Sequence, residues 1–124
     1  MIDKEKVRVF MLRMKEKEDG FYAENGGRIK ELVSLCKASQ GEYRYASHGS
    51  GSWATTYSDQ FIDASLEIYM LLSTPGLFSP TIKLSELFIE AGILSCRGAT
   101  MDIGKVEYLY EKHLKDKIAR KQIR

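Results

Sequence analysis

The chain has 124 residues, of which 44% are hydrophobic and 29% charged, and its formal net charge is +2 at pH 7. This length and composition predict one folded domain over residues 1–124 and exclude disorder of the whole chain. The net charge is too small to indicate a nucleic-acid partner by itself, but it is unevenly distributed. Residues 53–95 carry one basic and five acidic side chains, whereas residues 96–124 carry eight basic and four acidic ones.

The sequence predicts neither a membrane segment nor a secretion signal. It begins with alternating charges, and its longest uninterrupted apolar run, residues 68–72, is far below the roughly 20 residues of a membrane span. Two cysteines, Cys36 and Cys96, are too few for a disulfide scaffold and fit a reducing compartment. We therefore expect a cytoplasmic protein without membrane contact.

Two amphipathic helices are predicted before residue 40. Asp3 is a suitable N-cap for the first helix, which would run to about Glu18 and be stopped by Gly20. A turn at residues 25–28, which contains two glycines, then opens a second helix that ends near Ser39. The first helix has one apolar face, formed by Val7, Phe10, Met11 and Met14.

Residues 42–58 are the stretch with strand chemistry. Aromatic and β-branched residues alternate with small or polar ones on both sides of a Gly-Ser-Gly-Ser break, which predicts a β-hairpin. Alternation would place the aromatic residues on one face, packed on helices or exposed as a stacking platform for bases or for a partner's side chains. The candidate contact residues are Tyr43, Arg44, Tyr45, His48 and Trp53, and Tyr57 would join the same aromatic cluster.

Two further helices are predicted in the acidic middle of the chain. Residues 59–73 are apolar around most of the helix circumference, so this helix should be central, with Asp63 and Glu67 on its solvated edge. The next helix has Ser79 as its N-cap and Pro80 at its first position, and it ends just before Gly92.

The last helix is predicted from Asp102 as its N-cap, and its basic end, residues 112–124, could protrude from the domain. Cations suit a helix C-terminus, but the run is longer than capping requires. It would equally suit an electrostatic contact with phosphates or with an acidic partner. The candidate contact residues are Lys112, Lys115, Lys117, Arg120 and Lys121.

No catalytic arrangement or metal-ligand spacing is recognisable. His48 lies near Ser50 and Ser52, but the context of a nucleophile elbow is missing and no third group is placed to orient the imidazole. The histidines and cysteines do not have the spacing of a zinc site. We therefore expect no catalytic residue, no metal and no cofactor.

These patterns predict an α+β fold that is predominantly α, with about five helices around the central helix of residues 59–73 and one β-hairpin over residues 42–58. The predicted function is that of a small non-enzymatic regulatory or inhibitory binding protein. It would contact nucleic acid, or a protein complex that handles nucleic acid, through the basic C-terminal helix and the aromatic hairpin.

Two alternatives remain open from the sequence. The first is a protein inhibitor, adaptor or homodimeric module without nucleic-acid contact, in which the hairpin aromatics or the Met-bearing first helix form the contact. The second is an enzyme that uses His48 with Ser50 or Ser52. The sequence does not distinguish a protein partner from a nucleic-acid partner.

Overall fold

A computed structural model describes residues 3–39, 43–45, 53–55, 57–96 and 98–122. Three helices are regular, namely α1 (Lys4–Ser39), α2 (Asp59–Ser73) and α3 (Pro80–Glu90). The last helix, α4, starts as an α-helix (Ile103–Leu109), passes through a π-helical turn (Tyr110–Leu114) and continues as an α-helix (Lys115–Gln122). Two short strands, β1 (Tyr43–Tyr45) and β2 (Trp53–Thr55), follow α1. No helix within the described ranges is both long and apolar enough to cross a membrane.

The predicted α+β fold, with five helices and a β-hairpin over residues 42–58, is wrong. The described part is a helical protein of four helices, and α2 packs against α1, α3 and α4. Within residues 42–58 the structure describes only two three-residue strands, whose backbones pair antiparallel with Tyr45 opposite Trp53. Strands of this length do not form a sheet layer, since a sheet needs more strands or longer ones to cover a core. Aromatic and β-branched composition indicates extended backbone, but it does not decide what fills the core.

The two predicted helices before residue 40 are one continuous helix, so the predicted stop at Gly20 and turn at residues 25–28 are wrong. Gly20, Gly26 and Gly27 all lie inside α1, and none has the positive φ of a glycine that terminates a helix. The apolar residues before and after these glycines are in phase at 3.6 residues per turn. Packing of the second half of α1 on α2 therefore offsets the roughly 1 kcal/mol that each internal glycine costs.

The predicted bounds of α2 are confirmed, and so is its central position. Ser58 is the N-cap, and its hydroxyl accepts a hydrogen bond from the backbone N–H of Phe61 at 3.1 Å. The helix is buried around most of its circumference because its apolar residues are not confined to one stripe. Its buried side chains are Phe61, Ile62, Ala64, Ser65, Leu66, Ile68 and Leu72.

The predicted starts of α3 and α4 are also confirmed. The Ser79 hydroxyl accepts from the backbone N–H of Ile82, and the Asp102 carboxylate accepts from the backbone N–H of Lys105 at 2.9 Å. Gly92, just after α3, has a φ of 71°, a conformation that favours glycine and ends the helix. These local signals position α3 and the start of α4 beside each other.

Candidate protein-binding surface

The first half of α1 extends beyond the core. Phe21 is the first buried side chain of this helix, and before it every side chain is exposed except those of Met14 and Glu18, which are partly buried. Phe10 and Met11 are 62% and 65% exposed. Residues 4–20 span about 25 Å at 1.5 Å per residue, and we call them the projecting segment.

The projecting segment is apolar on more than one side. One apolar stripe runs along the whole of α1. Its second half is buried in the core and consists of Phe21, Ile29, Leu32 and Cys36. Its first half lies on the projecting segment and consists of Val7, Phe10, Met11 and Met14. Val9 and Leu12 lie off that stripe, and Leu12 is 54% exposed. Exposed apolar side chains on two sides of a projecting helix favour contact with another molecule.

The apolar part of the segment carries charge of one sign. Between residues 6 and 15 the charged side chains are Lys6, Arg8, Arg13 and Lys15, with no carboxylate among them. Arg8 reaches back to Glu5 at 3.0 Å, but both side chains are well exposed, so this ion pair neutralises little. The surface is therefore both apolar and cationic.

The base of the projecting segment is held against α3 and the chain that precedes it. Lys83 donates to the Glu18 carboxylate at 3.5 Å, and the Phe21 ring packs edge-on against Phe78 with centroids 5.3 Å apart. The Lys83 ammonium also lies over the Phe78 ring at 5.4 Å. These contacts set the direction in which the segment leaves the core.

A second apolar surface lies between α3 and the start of α4. Ile82, Ile89 and Ile103 are each nearly half exposed and line a groove of about 420 Å³, which we call the isoleucine groove. Glu86 and Asp102 are its charged lining residues among those described. Lys83 approaches Glu86 at 3.4 Å, but the Glu86 side chain stays largely exposed. The groove is therefore apolar and acidic.

The predicted contact residues of α4 are exposed or half-exposed, and several have partners within the chain. Lys115 lies 3.4 Å from Glu111, Lys117 lies 3.4 Å from Asp63, and Lys112 lies 3.3 Å from the Tyr108 hydroxyl. Arg120 and Lys121 line a shallow groove together with Lys117 and the acidic edge of α2. The basic end of α4 therefore faces carboxylates, which reduces its net positive field.

The predicted contact residues between α1 and α2 are described only in part. Tyr43, Arg44 and Tyr45 lie in β1 and Trp53 lies in β2, whereas His48 lies outside the described residues, as do Ser50 and Ser52. The sequence grouped Tyr57 with these aromatics, and Tyr57 belongs to the core.

Tyr57 is packed between α2 and the region around α4. Its ring stacks on Phe61 with centroids 4.8 Å apart, and its hydroxyl donates to the Met101 Sδ at 3.4 Å. Burial raises the pKa of Tyr57 to about 12. This phenol is therefore a neutral structural group.

His113 lies on the π-helical turn, edge-on to the Tyr57 ring with centroids 6.1 Å apart. Burial is the main cause that lowers its pKa below the usual value, and Lys112 and Lys117 lower it further. A neutral imidazole packed on an aromatic ring is a structural contact. Among the described residues, no three His, Cys, Asp or Glu side chains lie close enough together to hold a metal ion.

No protein-family model, curated protein or solved structure matches this chain. The candidate surfaces are therefore identified only by the exposure and the charge of their residues. The sequence predicts the first helix as one possible contact through a single apolar face, and Val9 and Leu12 are not part of that prediction, although their position off the main stripe was an available signal. Ile82 and Ile89 form an exposed apolar pair seven residues apart on α3. The groove that these two residues line together with Ile103 depends on how α3 and α4 pack.

Proposed function

We propose that this protein is a non-enzymatic protein-binding module and that the projecting segment of α1 is its contact surface. The observation that carries this proposal is the exposure of Phe10 and Met11 at the middle of a helical segment that has no buried side chain. A helix of this kind docks by laying apolar anchors into a groove on its partner. Phe, Met and Arg are enriched in such contacts.

The charge of the segment defines the chemistry of the partner. Four cations and no carboxylate between residues 6 and 15 favour a groove that is apolar in its centre and acidic at its rim. Antiparallel pairing of two projecting segments about Phe10 and Met11 is disfavoured on the same ground. It would bring Lys6 towards Lys15 and Arg8 towards Arg13, which are like charges.

Nucleic-acid contact through the basic end of α4 stays a prediction. Carboxylates near Lys115 and Lys117 compete with phosphates for these cations, which weighs against a strong contact there. We place the protein in the cytoplasm, since the buried Cys36 thiol beside the Ser65 hydroxyl suits a reducing compartment.

Site-specific photo-crosslinking tests the proposal. Benzoylphenylalanine at position 10 should yield discrete protein adducts in the producing cell, because this position lies at the centre of the proposed contact. Leu35 is the matched control, since it is also an exposed apolar residue of α1 but lies outside the projecting segment. Equal adduct patterns at positions 10 and 35, or none at position 10, would contradict the proposal.

A further inference from the structure

The two exposed apolar surfaces of this chain complement each other. On the projecting segment the apolar stripe runs from the exposed Val7 to the partly buried Met14, and on α3 the exposed pair runs from Ile82 to Ile89. Each pair is seven residues apart, which is about 10.5 Å along a helix. Two helical ridges of equal length can therefore pack along their whole apolar extent.

Their charges are also opposite. The projecting segment carries Lys6, Arg8, Arg13 and Lys15 around its apolar side chains, and the isoleucine groove is lined by Glu86 and Asp102. The edge of α2 is also acidic, and its carboxylates have partners within the chain: Glu67 binds Arg28 and Asp63 binds Lys117. The isoleucine groove differs from that edge in carrying three nearly half-exposed isoleucines beside its carboxylates, of which Glu86 lies 3.4 Å from Lys83.

We propose that the projecting segment of one copy docks into the isoleucine groove of a second copy, an inference that rests on the proposed function and names its partner. In this structure the projecting segment does not fill the groove of its own chain, since both surfaces are exposed. α1 also continues as an unbroken helix through residue 39.

This contact joins two different surfaces, so it is heterologous. Each copy that offers its projecting segment still has an open groove, and each copy that offers its groove still has an open segment. Association then proceeds head to tail and gives a ring or an open chain, not a closed two-fold dimer. The protein would be a self-assembling unit whose association weakens as salt screens the opposed charges.

Two surface variants and their mixture test the inference. The segment variant is Phe10→Glu with Met11→Glu, and the groove variant is Ile82→Lys with Ile89→Lys. All four positions are exposed, so the circular dichroism melts should stay close to wild type. Sedimentation velocity should show wild-type species that grow beyond a dimer with concentration, and each variant alone should associate roughly 30-fold or more weakly.

The mixture is the decisive sample. The segment variant keeps its groove and the groove variant keeps its segment, so the two should form a one-to-one complex that grows no further. Leu35→Glu is the control and should associate like wild type.

Three results would overturn the inference: a wild type that stays monomeric, a groove variant that associates like wild type, or a mixture that stays monomeric. If cellular proteins still crosslink to position 10 in such a case, the proposed function stands and only the identity of the partner is wrong. If the segment variant associates like wild type and position 10 gives no adduct, both fail.

Discussion

Arg28 on α1 and Glu67 on α2 form a bidentate ion pair, with N–O distances of 2.6 and 2.9 Å. The hydrogen bonding that Arg28 donates to Glu67 is the main cause that raises the pKa of Arg28, and its hydrogen bond to Glu31 adds to it. The planar guanidinium matches the carboxylate with two parallel bonds. The pair therefore links the second half of α1 to α2.

Replacing Arg28 by Lys should lower the melting temperature at low salt, because an ammonium group cannot form the two parallel bonds. The side chains are half-exposed, so the difference from wild type should shrink at high salt. Thermal melts at two salt concentrations measure it. Arg8→Lys is the control, since its partner Glu5 lies within the same exposed turn. Equal melting temperatures for wild type and the Arg28 variant would contradict the assigned role.

Gly27→Ala should raise the free energy of unfolding by about 0.5–1 kcal/mol. Gly27 is helical and a Cβ there would meet nothing within 4 Å, so alanine restricts the unfolded chain without a clash. Urea unfolding followed by circular dichroism measures the change. Gly92→Ala is the opposite control: its φ of 71° disfavours a side chain, and a Cβ would lie 3.4 Å from the Lys37 Nζ. A loss of stability in the Gly27 variant would contradict a continuous α1.

The stability of the protein should fall as the pH is lowered past about 6.5. The pKa of His113 is lowered in the fold, so the unfolded chain takes up this proton at a higher pH than the native one. The contribution of His113 to the free energy of unfolding is therefore present above its pKa in the unfolded chain. It is lost as the pH falls towards the lower pKa of the native state. His113→Gln removes this titration and should reduce the difference in stability between pH 7.5 and pH 5.

Urea unfolding of both proteins at the two pH values measures that difference. Every group other than residue 113 is the same in both proteins, so comparison of the two isolates His113. An identical pH dependence in wild type and variant would show that this imidazole is not desolvated as described.

Phe61→Ala and Phe10→Ala should differ sharply in their effect on stability. Phe61 is fully buried between the rings of Tyr57 and Phe88, so its removal should cost about 3–5 kcal/mol. Phe10 is mostly exposed, so the same change should alter the stability of the monomer by less than about 0.5 kcal/mol. Urea unfolding at low protein concentration compares them. Similar losses in both variants would mean that Phe10 packs within its own chain.

The sequence predicted the elements whose limits depend on near neighbours in the chain. Ser58, Ser79 and Asp102 each accept a hydrogen bond from a backbone N–H three residues later, so the cap and its partner lie within one turn. The central place of α2 was predictable as well, because its apolar residues surround the helix.

The long α1 was not predictable in the same way. Gly20, Gly26 and Gly27 are typical helix-ending residues, and only the apolar stripe that stays in phase on both sides of them indicates that the helix continues. Continuation depends on contacts with α2, which are distant in sequence. The prediction of a β-hairpin as a part of the fold failed for the related reason that β-propensity describes a half-buried surface and does not specify what covers it.

The candidate surfaces were predictable only where one helix carries the whole signal. Lys115 and Lys117 could be named as basic residues, but their approach to Glu111 and Asp63 depends in part on how α4 lies on α2. The isoleucine groove needed two helices to be placed together, so no single stretch of sequence contained it.

The π-helical turn in α4 has the geometry of a one-residue insertion into a regular helix. The backbone N–H of Lys115 bonds the carbonyl of Tyr110, five residues back, so the turn holds one residue more than an α-helical turn. If the same residues continued as a regular α-helix instead, everything beyond the turn would be rotated by about 100°. Lys117 would then lie away from Asp63, so the wide turn determines which side of the C-terminal helix meets the acidic edge of α2.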